Sequence, residues 1–174
     1  MIRRPIVAVI GNAKATPAQC ALAEELGRLL VEHGCRVLTG GLGGVMEAAS
    51  RGARRASNRS DGDVIGILPG DDAAFANEFV DIAIPSGMGF ARNVLIVRTA
   101  AAVIAVGGGA GTLSEIAHAW QADRIIVVLP AEGISGEFGG RALDDRPRPP
   151  ILKALSARSA VELVIESLGA RHSG

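Results

Sequence analysis

The run Val106-Gly107-Gly108-Gly109-Ala110-Gly111-Thr112-Leu113-Ser114-Glu115 carries the clearest chemistry in this chain. An apolar stretch, Ala100 to Val106, leads into it, and a helix-compatible stretch, Leu113 to Asp123, leads out. Strand, glycine turn and helix in that order aim unpaired backbone N–H groups at an anion. Glycine lets a phosphate come closer than a Cβ would permit. Thr112 suits two tasks, capping the helix and donating to a phosphate oxygen. Glu115 also has two readings. It is a capping-box partner of Thr112 by spacing, or a carboxylate set to act on whatever the loop holds. The first loop thus offers Gly108, Gly109, Gly111 and Thr112 as phosphate-binding positions.

A second glycine loop, Thr39-Gly40-Gly41-Leu42-Gly43-Gly44-Val45-Met46, also runs from a strand into a helix. It adds Gly40, Gly41, Gly43 and Gly44 to the binding candidates, and Gly11 joins them at the end of the first strand. A single glycine turn often only eases helix–strand packing. Two in one open sheet favour a nucleotide-like ligand lying across the crevice at the strand ends.

Several other nucleotide and catalytic signatures are missing. There is no GxxxxGK[ST], which argues against P-loop phosphoryl transfer. The second loop has Met46 where a dinucleotide fingerprint needs a small residue, and it follows the second strand rather than the first. His33, His118 and His172 are scattered, with no metal-ligand spacing, so no metal site is expected. No GxSxG elbow is present.

The elements that must hold these loops alternate. Candidate strands are Ile6–Ile10, Arg36–Thr39, Val64–Leu68, Val80–Ile84, Ala102–Val106 and Ile125–Leu129. Most are continuous apolar runs, as expected where helices cover both faces of a sheet. Candidate helices are Pro17–His33, Val45–Ser57, Phe90–Thr99 and Ala160–Leu168, besides the one after the first loop. Thr16, Pro17 and Gly34 bracket the first of them with good start and stop signals. This order predicts an α/β fold, a single-domain, doubly wound, mostly parallel, Rossmann-like sheet with helices on both faces. One segment breaks the rhythm: Pro130 to Pro150 is rich in glycine, proline and charge, and reads either as a binding lid or as a loose surface insertion.

Composition narrows the setting. The 174 residues, without a composition break, suit one domain spanning the chain. The net charge is zero and aromatics make up 3%, with no Tyr, which argues against nucleic acid as a partner. The longest apolar runs are strand-sized, which argues against a membrane. Cys20 and Cys35 form no CxxC and no disulfide framework, as in a cytoplasmic protein with reduced thiols. Met1-Ile2-Arg3-Arg4 hints at a targeting signal, but the apolar stretch after it is too short for one. Arg51, Arg54, Arg55 and Arg59 read as a solvated helix face.

Gly108-Gly109-Ala110-Gly111-Thr112-Leu113-Ser114-Glu115 resembles the PGGxGTxxE signature of the LOG-like proteins, formerly labelled lysine decarboxylases. Gly40 to Met46 resembles that family's first glycine loop, and Gly87-Met88-Gly89-Phe90-Ala91-Arg92-Asn93 falls where the family carries an arginine followed by lysine. The resemblance covers about Ile6 to Leu129. It implies two branches. One is the phosphoribohydrolases, which cut the N-glycosidic bond of cytokinin riboside 5′-monophosphates or AMP, with Arg92 and Glu115 as the catalytic pair. The other is the molybdenum cofactor carrier proteins, which share the fold and bind a pterin phosphate. Gly107 stands where the signature has proline, and Asn93 where it has lysine, so the chain resembles the carrier branch more.

Three functions follow as expectations. The first is binding of a nucleotide or of molybdopterin or the molybdenum cofactor, with no cofactor required otherwise. The second is nucleotide phosphoribohydrolase activity, with Glu115 stabilising positive charge on the ribose and Arg92 gripping an oxyanion. The third is a non-catalytic interaction module on the same fold. The apolar run Val94-Leu95-Ile96-Val97 exceeds what one face of a surface helix needs, which suggests burial against the sheet, a partner or both. With the resemblance to a family whose members are often dimers or larger, a homodimer or larger homo-oligomer is expected.

Overall fold

The computed structural model describes residues 4–172. Met1 to Arg3, most of the segment weighed as a targeting signal, lie outside the described residues, as does the side chain of His172. The elements are β1 (Ile6–Gly11), α1 (Pro17–Glu32), β2 (Arg36–Thr39), α2 (Val45–Arg54), β3 (Val64–Leu68), β4 (Ile82–Pro85), α3 (Arg92–Thr99), β5 (Ala102–Val106), α4 (Ala110–Gln121), β6 (Ile125–Leu129), β7 (Leu152–Lys153) and α5 (Ala157–His172). Short 3₁₀ turns occupy Ala73–Phe75, Gly89–Ala91 and Ile134–Glu137.

The strands form one parallel sheet in the order β4-β3-β2-β1-β5-β6-β7. Its two faces follow from strand alternation. Val7 and Val9 of β1 point into a core shared with α1, α2 and α5. Ala8 and Ile10 point into the opposite core, with Ile96 and Val97 of α3 and Ile116 and Trp120 of α4. The expected doubly wound α/β architecture with helices on both faces is therefore present. Chain order reverses between β1 and β5, which are direct neighbours. A crevice opens at the carboxyl ends of the two strands where such a reversal occurs.

Some boundaries differ from those expected, each for a local reason. β4 starts two residues late because Val80 N–H bonds to Asn77 O in a turn, at 3.1 Å. The helix expected over Phe90–Thr99 begins as a 3₁₀ turn, and α3 proper starts at Arg92. α2 stops at Arg54, earlier than expected, with Arg55 as its cap. α5 begins three residues earlier, with Ser159 N–H bonded to Ser156 Oγ at 3.1 Å, and runs through the exposed Gly169. β7 was not expected: two residues pairing with Val127 and Val128 are too few to leave a periodic signal.

One side-chain expectation is also corrected. Arg51, Arg54, Arg55 and Arg59 are not a merely solvated face. Arg51 pairs with Glu24 at 2.9 Å, Arg55 with the same Glu24, and Arg54 and Arg59 with Asp81, so the arginines tie α2 to α1 and to the approach to β4. The apolar face of α3 is only partly covered: Ile96 and Val97 are buried, whereas Leu95 and the neighbouring Phe90 are exposed.

Candidate functional site

The carboxyl ends of β1, β2 and β5 surround a cavity of about 500 Å³. That volume lies in the range of small-molecule sites. Its floor and walls come from Gly11 to Lys14 after β1, Gly40, Leu42 and Met46 after β2, and Gly108, Gly109, Gly111, Thr112 and Glu115 after β5. Phe90, Arg92 and Asn93 close one side.

α4 starts at Ala110, with Gly109 as its N-cap residue and no side-chain cap. Thr112 therefore sits in the third helical position and caps nothing, and Glu115 is not its capping-box partner. Gly107 and Gly108, at φ +63° and +96°, turn the chain so tightly that the helix starts before Thr112. A helix start leaves its first N–H groups without intrahelical partners. Among the described residues no loop, turn or side-chain hydrogen bond takes up the N–H groups of Gly108, Gly109, Ala110 or Gly111. Gly109 and Gly111 face open space, with no atom within 4 Å of where a Cβ would lie.

Glu115 instead points into the cavity wall and meets Arg92. Arg92 Nη1 lies 3.2 Å from Glu115 Oε1, with the two side chains 12% and 8% exposed. The same nitrogen donates to Asn93 Oδ1, and Asn93 Nδ2 donates to Ser114 Oγ at 2.8 Å, which ties α3 to α4. Burial pushes the Glu115 carboxyl up to about 7, against the opposing pull of the Arg92 charge. Two buried polar atoms of this wall, Arg92 Nε and Asn12 Oδ1, have no hydrogen-bond partner among the described residues.

The glycines of the second loop divide in role. Gly40 lines the cavity, and a Cβ there would fall 2.6 Å from Arg92 Nη2, so its bareness makes room for the guanidinium. Gly44, at φ +67°, lets the loop press against Asn12 O and Ala13 O, and Val45 N–H is spent on Asn12 O at 2.9 Å. Gly41 packs against Leu68. Gly41, Gly43 and Gly44 do not line the cavity, whereas Gly11, Gly40, Gly108, Gly109, Gly111, Thr112, Arg92 and Glu115 do. Asn12, Lys14 and Asn93 were not singled out as ligand-facing residues. The position of Asn12 and Lys14 directly after the first strand of the sheet was the available signal.

No group of three or more metal-ligating side chains occurs among the described residues. No helix there is long and apolar enough to cross a membrane.

The site and fold define a class: a doubly wound parallel α/β protein with a glycine-lined cavity at its switch point. Residues 4–157 match the family model described as the SLOG cluster4 family, and the chain belongs to that family. An uncharacterized protein of Archaeoglobus fulgidus is 41% identical over 131 residues, covering 75% of this chain and 83% of that protein. The molybdenum cofactor binding protein of Rippkaea orientalis is similar in structure, with a TM-score of 0.84 and 35% identity over 97% of this chain and 99% of that one. The molybdenum cofactor carrier protein of Chlamydomonas reinhardtii has a TM-score of 0.81 and 34% identity, over 96% and 99% of the two chains. DNA processing protein A of Helicobacter pylori shares the fold, at 17% identity and a TM-score of 0.65 over 94% of this chain and 81% of that one. The resemblance to the carrier branch, carried by Gly107 and by the run from Gly89 to Asn93, thus agrees with the solved structures.

Proposed function

We propose that this protein binds a pterin phosphate of the molybdenum cofactor type in the switch-point cavity and holds it without cleaving it. The observation that carries this reading is the set of unpaired N–H groups from Gly108 to Gly111 at an uncapped helix start bordering the cavity. Such a start favours a phosphate both by direct hydrogen bonds and by the helix dipole. Arg92 brings the nearest buried positive charge. Leu42, Met46 and Phe90 offer apolar surface for a flat heterocycle. The unpartnered Asn12 Oδ1 would accept from a ring N–H. Solved relatives at 35% and 34% identity are named for binding or carrying the molybdenum cofactor, which supports the same ligand here.

A second reading keeps Glu115 as a catalyst. Its carboxylate lies in the cavity wall rather than in a cap, where it would stabilise positive charge on a ribose as the base leaves. Nucleotide phosphoribohydrolase activity on AMP or a cytokinin riboside monophosphate would follow. In either reading the chain acts as one cytoplasmic domain. It works as a homodimer or larger assembly that covers the exposed Phe90, Leu95 and Leu113. A monomeric mass by light scattering at micromolar concentration overturns that assembly.

The deciding experiment titrates the purified protein with molybdenum cofactor under anaerobic conditions and incubates it in parallel with AMP and a cytokinin riboside monophosphate. Saturable cofactor binding with no free base on chromatography is the expected result. Base release that disappears in Glu115→Gln establishes the hydrolase instead.

A further inference from the structure

No residue of the 130–150 segment lines the cavity, yet the start of this segment presses on the glycine loop from behind. Ile134 N–H donates to Gly108 O at 2.9 Å, and Ser135 N–H donates to Gly107 O at 3.1 Å. A trans peptide is planar, with its C=O and the following N–H pointing in opposite directions. None of the described peptide bonds is cis. Fixing the Gly107 and Gly108 carbonyls against residues 134 and 135 therefore turns the Gly108 and Gly109 N–H groups the other way, onto the cavity side that both glycines line.

The contact is interlocked. A Cβ on Gly133, at φ +122°, would fall 2.7 Å from Gly108 O. A Cβ on Gly107 would fall 2.4 Å from Gln19 Nε2 and 2.6 Å from Glu132 O. Gln19 is 3% exposed and reaches across from α1. Its Nε2 donates to Glu132 O at 2.6 Å, while its Oε1 accepts from Thr16 N–H at 3.0 Å. Both ends of one buried amide are thus engaged, one in the capping box of α1 and one on the segment that holds the glycine loop.

We infer that Gln19 and the backbone of residues 132–135 form a brace that sets the direction of the Gly108 and Gly109 N–H groups, which makes Gln19 a positioning residue for anion binding. The inference rests on the reading that those groups meet an anion. Residues 132–135 are then part of the loop's support rather than a lid or a loose insertion. It blocks a peptide flip that would turn a carbonyl toward the ligand, because a flip at either peptide breaks a bond to residue 134 or 135.

Gln19→Glu tests the brace. It keeps an oxygen for Thr16 N–H but replaces the donor to Glu132 O with a second oxygen. The measurements are the amide signals of Gly108 and Gly109 in ¹⁵N-labelled, ligand-free protein and the affinity for inorganic phosphate. Displaced Gly108 and Gly109 signals with roughly tenfold weaker phosphate binding are expected, the usual effect of one lost hydrogen bond. Gln19→Ala, which removes both bonds, gives the same readout if Gln19→Glu does not fold. A lower melting temperature with unmoved glycine signals and unchanged phosphate affinity would overturn the brace and leave Gln19 a packing residue. Displaced signals in a protein whose wild type binds no phosphate would support the brace geometry and overturn the anion reading instead.

Discussion

Arg92 Nη1 and Glu115 Oε1 sit 3.2 Å apart in the wall of the switch-point cavity, joining the first residue of α3 to the second turn of α4. A carboxylate beside a guanidinium ordinarily titrates low. Here loss of water outweighs the attraction, and the Glu115 carboxyl rises to about 7. The pair is a charge balance whose state changes near neutral pH. A ligand anion that draws Arg92 toward itself weakens the opposing pull and favours protonated Glu115.

The first prediction follows from that balance. The folded state holds the Glu115 proton up to about pH 7, whereas the unfolded chain releases it near 4.5. Between those values the folded protein binds more protons, so this residue's share of the stability is intact below about 4.5 and lost as pH rises through 7. The full loss is ~3 kcal/mol. Glu115→Gln removes the titration while keeping an acceptor for Arg92. Thermal unfolding at pH 5 and pH 8 should show a smaller drop for Glu115→Gln than for wild type, and equal drops would place the titration elsewhere.

The second prediction separates two glycines of one loop. Alanine at Gly40 meets Arg92 Nη2 at 2.6 Å and Met46 Sδ at 2.7 Å, both at the far ends of flexible side chains. Those ends move, and the cost is about 1 kcal/mol, the low end of overpacking. Arg92 is displaced, so phosphate affinity should fall while the fold survives. Alanine at Gly44 meets Asn12 O at 2.2 Å and Ala13 O at 2.5 Å, in a backbone at φ +67°. Backbone cannot swing aside, so Gly44→Ala should lose at least about 2 kcal/mol in urea unfolding. A Gly40→Ala protein with wild-type affinity would remove Arg92 from the binding machinery.

The third prediction concerns Asn93, the residue that stands where the LOG signature has lysine. It is 5% exposed, and its amide reaches Arg92, Ser114 Oγ at 2.8 Å and Gly111 O at 3.3 Å. A lysine there would put a second buried positive charge beside Arg92, whose Glu115 partner is already engaged. Asn93→Ala should cost about 1–3 kcal/mol, because it leaves buried groups unpaired. Hydrogen exchange should speed up in the first turn of α3. Unchanged exchange there would mean that α3 is held by Ile96 and Val97 alone.

These residues also mark what a sequence discloses and what it does not. The two glycine loops and the alternating apolar runs were legible because turn chemistry and strand burial are local. The resemblance carried over Arg92 and Glu115, but not their contact across 23 positions of chain. The Thr112–Glu115 spacing suggested a capping box, yet the positive φ of Gly107 and Gly108 starts the helix earlier and frees both residues for the cavity. A glycine-rich sequence does not say which of its glycines adopts a positive φ. Asn12 carries no local signal beyond a polar residue after an apolar run, and only the pairing of β1 with β5 places it at the crevice. Gln19 was hidden for the same reason: its helix-capping role is local, and its bond to Glu132 is not.

The last prediction tests the loop itself. Gly107 stands where the hydrolase signature carries proline, and it adopts φ +63°. A proline ring holds φ near −65°, so Gly107→Pro must turn the loop differently. It must also push a ring toward Gln19 Nε2 and Glu132 O, where even a Cβ would fall within 2.6 Å. The strain alone is worth about 1–3 kcal/mol, and the brace behind Gly108 and Gly109 is lost with it. Gly107→Pro should therefore lower both the melting temperature and phosphate affinity. Gly107→Ala should lower both as well, since its Cβ meets Gln19 Nε2 at 2.4 Å and Glu132 O at 2.6 Å and the positive φ costs alanine about 1–2 kcal/mol. If Gly107→Pro instead kept full stability and gained base release from AMP, the glycine would be a switch between binding and hydrolysis rather than a requirement of this loop.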